Sequence, residues 1–178
     1  STLKFLKKKN VKEIYTWDDT KNKSNKKKFN LFKNVLDTVD YIVISPGINI
    51  QNTKLKLKLS RNKNKIITDL DLFYMQKIPA KSIVITGTNG KSTTCKLVQH
   101  IFKTSGLDAK LGGNIGKPIL DLKIRKKSVA IIEASSFQLA YTKFIKPTLA
   151  VILNITSDHL DWHNTIDNYK NSKLKIFS

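Results

Sequence analysis

The chain has little of what would place it across a membrane or outside a reducing compartment. Among its 178 residues Cys95 is the only cysteine, so no internal disulfide can form. No apolar run approaches the ~20 residues that span a bilayer, and no cleavable leader pattern opens the chain. Arginine is nearly missing: Arg61 and Arg125 stand against a formal charge of +20 that is otherwise lysine. Base-edge readout favours the arginine fork, and single-strand binding wants aromatic rings set among the charges. Neither pattern occurs. The Lys- and Asn-rich tracts Lys21–Lys28 and Arg61–Lys65 therefore read as solvated loops, adhering to polyanions only non-specifically at low salt. A soluble, cytoplasmic monomer is expected, with no membrane insertion and no specific nucleic-acid partner.

What is present is an alternation of extended and helical patterns. A first helix ends near Asn10, Val11–Thr16 reads as a strand closing on Trp17-Asp18-Asp19, and a helical piece follows the lysine-rich loop at Leu31–Val35. Tyr41–Ile44 is a buried-type strand that stops at Ser45-Pro46-Gly47. Ile66–Thr68 is another, leading into a helix through Leu70, Leu72, Phe73 and Met75. After Lys77–Lys81 come the strand Ile83–Thr86, a helix over Lys91–Thr104, extended Ala109–Leu111 and a short helix from Pro118. The strands Val129–Ile132 and Leu149–Ile155 complete the pattern. This order predicts an α/β fold. A partial Rossmann-like N-terminal domain, residues 1–79, would be followed by a P-loop-type central domain with a mostly parallel sheet, residues 80–178. Continuous apolar runs in the second unit indicate strands covered on both faces. The chain opens at Ser1 on a helical pattern and stops at Ser178 inside another, as expected of an interior piece of a longer protein.

The chemistry gathers at strand ends. Gly87-Thr88-Asn89-Gly90-Lys91-Ser92-Thr93 lies between a strand and a helix. Backbone N–H groups in such a turn converge on an anion at the helix's positive end, Lys91 would neutralise outer phosphates, and Ser92 or Thr93 offers a hydroxyl to Mg²⁺. Only Thr88 and Asn89 separate the glycines, where the usual loop has four residues. Glu133 ends a buried strand and is well placed to hold Mg²⁺; the plainer reading is an acid at a helix N-terminus. His159 leaves the next strand and would approach the same cleft, whereas His100 and His163 read as structural. The double glycine of Gly112-Gly113-Asn114-Ile115-Gly116 would let Asn114 come close to a ligand. Cys95 reads as a small buried residue, not a reactive thiol.

These segments, with Glu133-Ala134-Ser135-Ser136-Phe137-Gln138-Leu139 and Asn154-Ile155-Thr156-Ser157-Asp158-His159-Leu160-Asp161, occur in the order and spacing of the Mur ligases. The chain resembles that family over nearly its whole length, and Ser45-Pro46-Gly47-Ile48 resembles the family's N-terminal domain. The loop motif is shared with folylpolyglutamate synthases; Gly112–Gly116 and Ser135–Leu139 are similar to the D-glutamate-adding branch.

The resemblance implies an ATP-dependent carbon–nitrogen ligase of peptidoglycan synthesis. It would use ATP and Mg²⁺ to add D-glutamate to UDP-N-acetylmuramoyl-L-alanine through an acyl phosphate. Gly87, Thr88, Asn89, Gly90, Lys91, Ser92 and Thr93 would hold ATP. Ser92, Glu133, His159 and Lys173 match metal-site residues, Lys173 as a lysine that becomes carbamylated, and Lys91, Glu133, His159 and Lys173 match catalytic positions. Asn114, Ser135 and Gln138 match positions facing the muramoyl-alanine substrate; Asp18, Ser45 and Gly47 match the uridine-nucleotide site.

Some of the family pattern has no counterpart in this stretch. The glycine turn before the first helix and the C-terminal domain do not occur, and Glu133-Ala134 replaces the more familiar acid–Leu pair. These residues alone are therefore expected not to form the amide. The competing readings are another amide ligase of the same family and a nucleotide-dependent, nucleic-acid-associated module.

Overall fold

The computed structural model describes residues 2–18 and 26–177. Helix α1 (Thr2–Lys8) opens the chain. The strand expected over Val11–Thr16 does not form: the segment is irregular and its Val11 and Tyr15 side chains are exposed. Among the described residues the segment has no ladder partner; the Val11 N–H closes back on Leu6 O at the end of α1. The expected lysine-rich loop falls partly on residues 19–25, outside the described residues; its last residues belong to α2 (Lys26–Val35).

Strand β1 (Ile42–Val43) is short, and after α3 (Lys56–Arg61) it meets β2 (Ile66–Ile67) in parallel, Ile42 opposite Ile66. Around this pair Leu36, Ile42, Ile44, Ile50, Leu55, Leu59 and Ile66 form one core cluster. Trp17 closes it, its ring stacked on Phe32 at 5.4 Å and edge-on to Phe29 at 5.3 Å. Helix α4 (Asp69–Met75) follows at once, started by a capping box between Thr68 and Asp71.

The remaining elements are β3 (Lys81–Thr86), α5 (Lys91–Thr104), β4 (Asp108–Gly113), β5 (Ser128–Glu133), α6 (Ser136–Tyr141), β6 (Leu149–Ile152), α7 (Leu160–His163) and α8 (Ile166–Leu174). The helix expected from Pro118 is a single 3₁₀ turn, Ile119–Asp121, and the strand expected to reach Ile155 ends at Ile152. The four strands make one parallel sheet in the order β4-β5-β3-β6.

Alternation along the central strands fills both faces. Val84, Ala130 and Ile132 point to one side, where they meet Leu70 and Phe73 of α4, Leu139 of α6 and Ile176. Ile83, Ile85, Val129 and Ile131 point to the other, against Cys95, Val98 and Phe102 of α5. Sheets of this kind read as unbroken apolar runs, which is how these strands appear in the sequence. No described helix is long and apolar enough to cross a membrane.

Asp71 staples the helix side together. Its Oδ2 accepts from the Thr68 backbone N–H at 2.7 Å and the Thr68 hydroxyl at 3.2 Å. Its Oδ1 accepts from the Thr142 hydroxyl at 2.8 Å and from the N–H groups of Lys143 and Phe144, each at 2.7 Å. The carboxylate is fully buried, so the Thr68 and Thr142 donors would lose their partner away from water and the Lys143 and Phe144 N–H groups in a part-buried place. Asp71→Ala should therefore cost about 3–5 kcal/mol in urea unfolding. A loss below about 1 kcal/mol would contradict the staple.

Candidate nucleotide site

Parallel pairing in register brings the carboxyl ends of β3, β5 and β6 to one level: Ile85 lies opposite Glu133 and Thr86 opposite Ile152. From β3 the chain turns through Gly87–Gly90 into α5. Gly90 has φ +80°, a conformation that costs glycine nothing and other residues strain. Asn154 pins this turn: its Oδ1 accepts from the N–H groups of Thr88 at 3.1 Å and Asn89 at 2.9 Å, and its Nδ2 donates to Asn89 O at 3.1 Å. The Thr88 hydroxyl contacts the backbone of Thr156 and shares a 2.9 Å hydrogen bond with the Tyr169 hydroxyl. Sequence reasoning gave Asn154 and Tyr169 no role, although Asn154 lies in the same run as His159.

Glu133, 1% exposed, joins two loops. Its Oε2 accepts from the Ser92 hydroxyl at 2.7 Å and its Oε1 from the Asn114 amide at 2.9 Å. Gly113 allows the approach, because a Cβ there would stand 2.3 Å from Glu133 O. Both side-chain partners of the carboxylate are neutral. Ser92 Oγ and Glu133 Oε2 are hard oxygen donors at the mouth of a phosphate-type turn, a set that suits Mg²⁺ with phosphate oxygens and water completing the shell.

Two ammonium groups crowd the other side. Lys91 Nζ donates to Gly87 O at 2.8 Å and Thr88 O at 2.7 Å, and Lys173 Nζ donates to the same Gly87 O at 2.8 Å. Lys173 is 1% exposed and lies over the Tyr169 ring. Burial, with the Lys91 charge beside it, pulls its ammonium down to about 8, against a smaller opposing pull from Asp158.

The Glu133 carboxylate bonds Ser92 and Asn114, and His159 is not among its hydrogen-bond partners. His159 caps α7 in a left-handed conformation, φ +51°, pairs with Asp158 at 3.5 Å and packs on Phe137 at 4.8 Å. Its link to the turn runs through Tyr169, whose ring lies 6.5 Å away. Among the described residues no three or more His, Cys, Asp or Glu side chains are grouped to hold a metal ion.

Ser135 and Gln138 form the capping box of α6, and the Gln138 amide donates to Asp69; both residues are buried. Ser45 and Gly47 are exposed beyond the carboxyl end of β1, where Gly47 O receives the Trp162 indole N–H at 3.4 Å. Asp18 is half-buried beside Trp17. A cleft of about 260 Å³ between Asn49, Tyr141, Trp162 and Lys175 is lined by neither Glu133 nor Lys91. Cys95 is buried and its thiol is pushed up to about 12, chiefly by desolvation.

The fold and this turn define an α/β phosphate-loop protein. The family profile described as Mur ligase middle domain matches residues 85–178. The UDP-N-acetylmuramoylalanine–D-glutamate ligase of Rickettsia bellii is 45% identical over 140 residues, 78% of this chain and 30% of that protein. The enzyme of the same name from Rickettsia prowazekii is 40% identical over 179 residues, 95% of this chain and 39% of that one. Among solved structures, UDP-N-acetylmuramate:L-alanyl-gamma-D-glutamyl-meso-diaminopimelate ligase from Neisseria meningitides overlays with a TM-score of 0.49 and 18% identity, over 81% of this chain and 50% of that one. The chain belongs to the Mur ligase family. It spans about a third of the length of the curated relatives it matches.

Two outcomes follow from this geometry. His163 is buried, its Nε2 3.0 Å from the Ser136 hydroxyl, and burial holds its imidazole down at about 4, with His159 and Lys173 adding to the effect. The unfolded chain binds this proton first, near pH 6.5, so the folded state loses stability as pH falls from 6.5 to 4. His163→Gln should flatten that part of the urea-unfolding profile; an unchanged slope would refute the assignment. Asn154→Ala should speed hydrogen exchange at the Thr88 and Asn89 amides about tenfold relative to the β3 core, the worth of roughly one hydrogen bond.

Proposed function

We propose that the chain is the acceptor- and nucleotide-binding part of an ATP-dependent ligase that joins D-glutamate to UDP-N-acetylmuramoyl-L-alanine. Residues 1–79 would serve the uridine-nucleotide end and residues 80–178 the ATP end. The observation that carries this reading is the Ser92–Glu133–Asn114 bridge, which ties the phosphate turn to the glycine loop of β4. Similarity to the two Rickettsia ligases named for D-glutamate supports that amino acid as the one joined.

Such a reaction asks a carboxylate to attack a phosphoryl group, so negative charge must be offset and the two groups held in line. Lys91, now folded onto Gly87 O and Thr88 O, is long enough to turn outward and meet phosphate oxygens. The turn itself is held by Asn154, whose Oδ1 accepts from the Thr88 and Asn89 N–H groups. Ser92 and Glu133 would hold Mg²⁺, which supplies charge screening of the phosphates. Asn114, whose amide donates to Glu133, would face the acceptor, and Gly47 with Ser45 and Asp18 would line the uridine end. His159, half exposed and beside Asp158, would remain open to a ligand. Burial raises the fraction of Lys173 that is neutral amine near neutral pH, the form that can take up carbon dioxide as a carbamate.

In the complete ligase, Lys91→Ala and Glu133→Gln should each lower kcat/KM for D-glutamate-dependent phosphate release by about 10²–10³ while leaving the thermal midpoint within a few degrees. Wild-type turnover that accepts another amino acid in place of D-glutamate would reassign the chain to a different branch of the family.

A further inference from the structure

We propose that Asn49 and Trp162 form a clasp that fixes the loop after β1 against the helix capped by His159, and that this clasp sets the affinity for the uridine-nucleotide end of the acceptor substrate. The inference rests on the ligase reading above.

The contacts bridge segments far apart in sequence. Asn49 uses both ends of its amide. Its Oδ1 accepts from Gln51 N–H at 2.9 Å, capping the 3₁₀ turn Ile50–Asn52, and its Nδ2 donates to Trp162 O at 2.7 Å. Trp162 answers in the other direction, its indole N–H donating to Gly47 O. Alongside, Ile50 N–H donates to the Tyr141 hydroxyl at 3.1 Å. Three hydrogen bonds thus tie residues 47–50 to α6 and α7.

The far side of the clasp leads to the candidate site. The Trp162 ring meets Phe137 edge-on at 5.1 Å, and Phe137 in turn packs on His159 at 4.8 Å. His163, next to Trp162, stands 5.2 Å from Tyr169, whose hydroxyl bonds Thr88 of the phosphate turn. The position of Gly47 is therefore set by the same aromatic group that sets His159.

Neither Asn49 nor Trp162 belongs to a core cluster, and both are only half-buried. The nearby core is supplied by Ile50, with Tyr141 packed against it. The clasp therefore adds little to folding, yet it fixes a loop at the carboxyl end of a parallel strand, where α/β proteins receive ligands. The open side of that loop is free of crowding: a Cβ at Gly47 would meet nothing within 4 Å. A substrate reaching from this loop to His159 would pass over the clasp and feel any change in its setting.

Two variants separate the clasp from the turn and from the ring packing. Asn49→Asp keeps the acceptor for Gln51 and removes the donor to Trp162; Trp162→Phe keeps an aromatic ring and removes the indole N–H. In the complete ligase each should raise KM for UDP-N-acetylmuramoyl-L-alanine about fivefold, with kcat, KM for ATP and thermal midpoint unchanged. The double variant should fall well short of the product of the two effects, because both break one clasp. Unchanged KM in both variants overturns the proposal. So does a joint shift of kcat, both KM values and the midpoint, which would assign the pair a purely structural role. A wild-type enzyme without D-glutamate-dependent turnover would instead overturn the ligase reading. Calorimetric binding of UDP-N-acetylmuramoyl-L-alanine to wild type and variants would then decide the clasp by itself, equal affinities refuting it.

Discussion

The site depends on one constraint, the in-register parallel pairing of β3 with β5 on one side and β6 on the other. Because the strands end level, the ladder continues past them into the loops. Ala134 N–H donates to Ile85 O, Leu153 N–H to Thr86 O and Thr88 N–H to Asn154 O, all at 3.0–3.1 Å. The Thr86 hydroxyl adds a bond to Ala134 O at 2.8 Å. A shift of one residue in β5 would turn Glu133 to the opposite face and leave Ser92 and Asn114 without their shared acceptor. Loop chemistry here is thus an extension of sheet geometry.

That geometry also concentrates charge. Lys91 and Lys173 both direct ammonium groups at Gly87 O, and Lys173 is lowered first by burial and then by the Lys91 charge. Close by, the Glu133 carboxylate is buried among neutral donors. Like charges at short range in a poorly solvated place are costly, and a polyanion between them relieves that cost. A ligand that binds only the folded chain then stabilises it by mass action. By the same argument, the electrostatic tension of the free site would be a source of affinity for the phosphates of the proposed nucleotide.

Much of this was legible in the sequence where local pattern and tertiary role agree. The strand, glycine turn and helix over Ile83–Thr104 announce themselves because β-branched residues, glycine and an amphipathic period each ask for the same structure. Glu133 was legible because an acid ending an apolar run has few uses. Where local pattern and context disagree, the reading fails. Lys54–Leu59 alternates with period two and drew no assignment from the sequence; Leu55 caps α3 (Lys56–Arg61), and Leu55 and Leu59 are buried one helical turn apart while Leu57 stays 73% exposed. Val11–Thr16 looks extended but has no strand to pair with. Asp71 and Asn154 were invisible for a different reason: each acts by collecting donors from distant segments, and no sequence period records that. Ser135 and Gln138 carry a capping box besides any substrate contact, so motif resemblance and helix chemistry ask for the same two residues.

The +20 charge finds its explanation in the same bookkeeping of donors. With 33 basic and 13 acidic residues, most lysines cannot pair with a carboxylate. Ion pairs such as Lys58 with Asp37 and Lys110 with Asp108 lie at the surface, where they contribute little. Other lysines donate to main-chain carbonyls instead: Lys65 to Asp37 O, Lys143 to Lys63 O and Asn64 O, Lys175 to Ala140 O. Lys143 and Lys175 are held below the usual lysine range chiefly by desolvation, so these contacts exchange water for backbone dipoles. Lys143 in particular closes the chain after α6 onto the turn before β2, joining segments that carry no acid for it. Lysine in this chain thus serves as a partner for main-chain carbonyls as well as for acids.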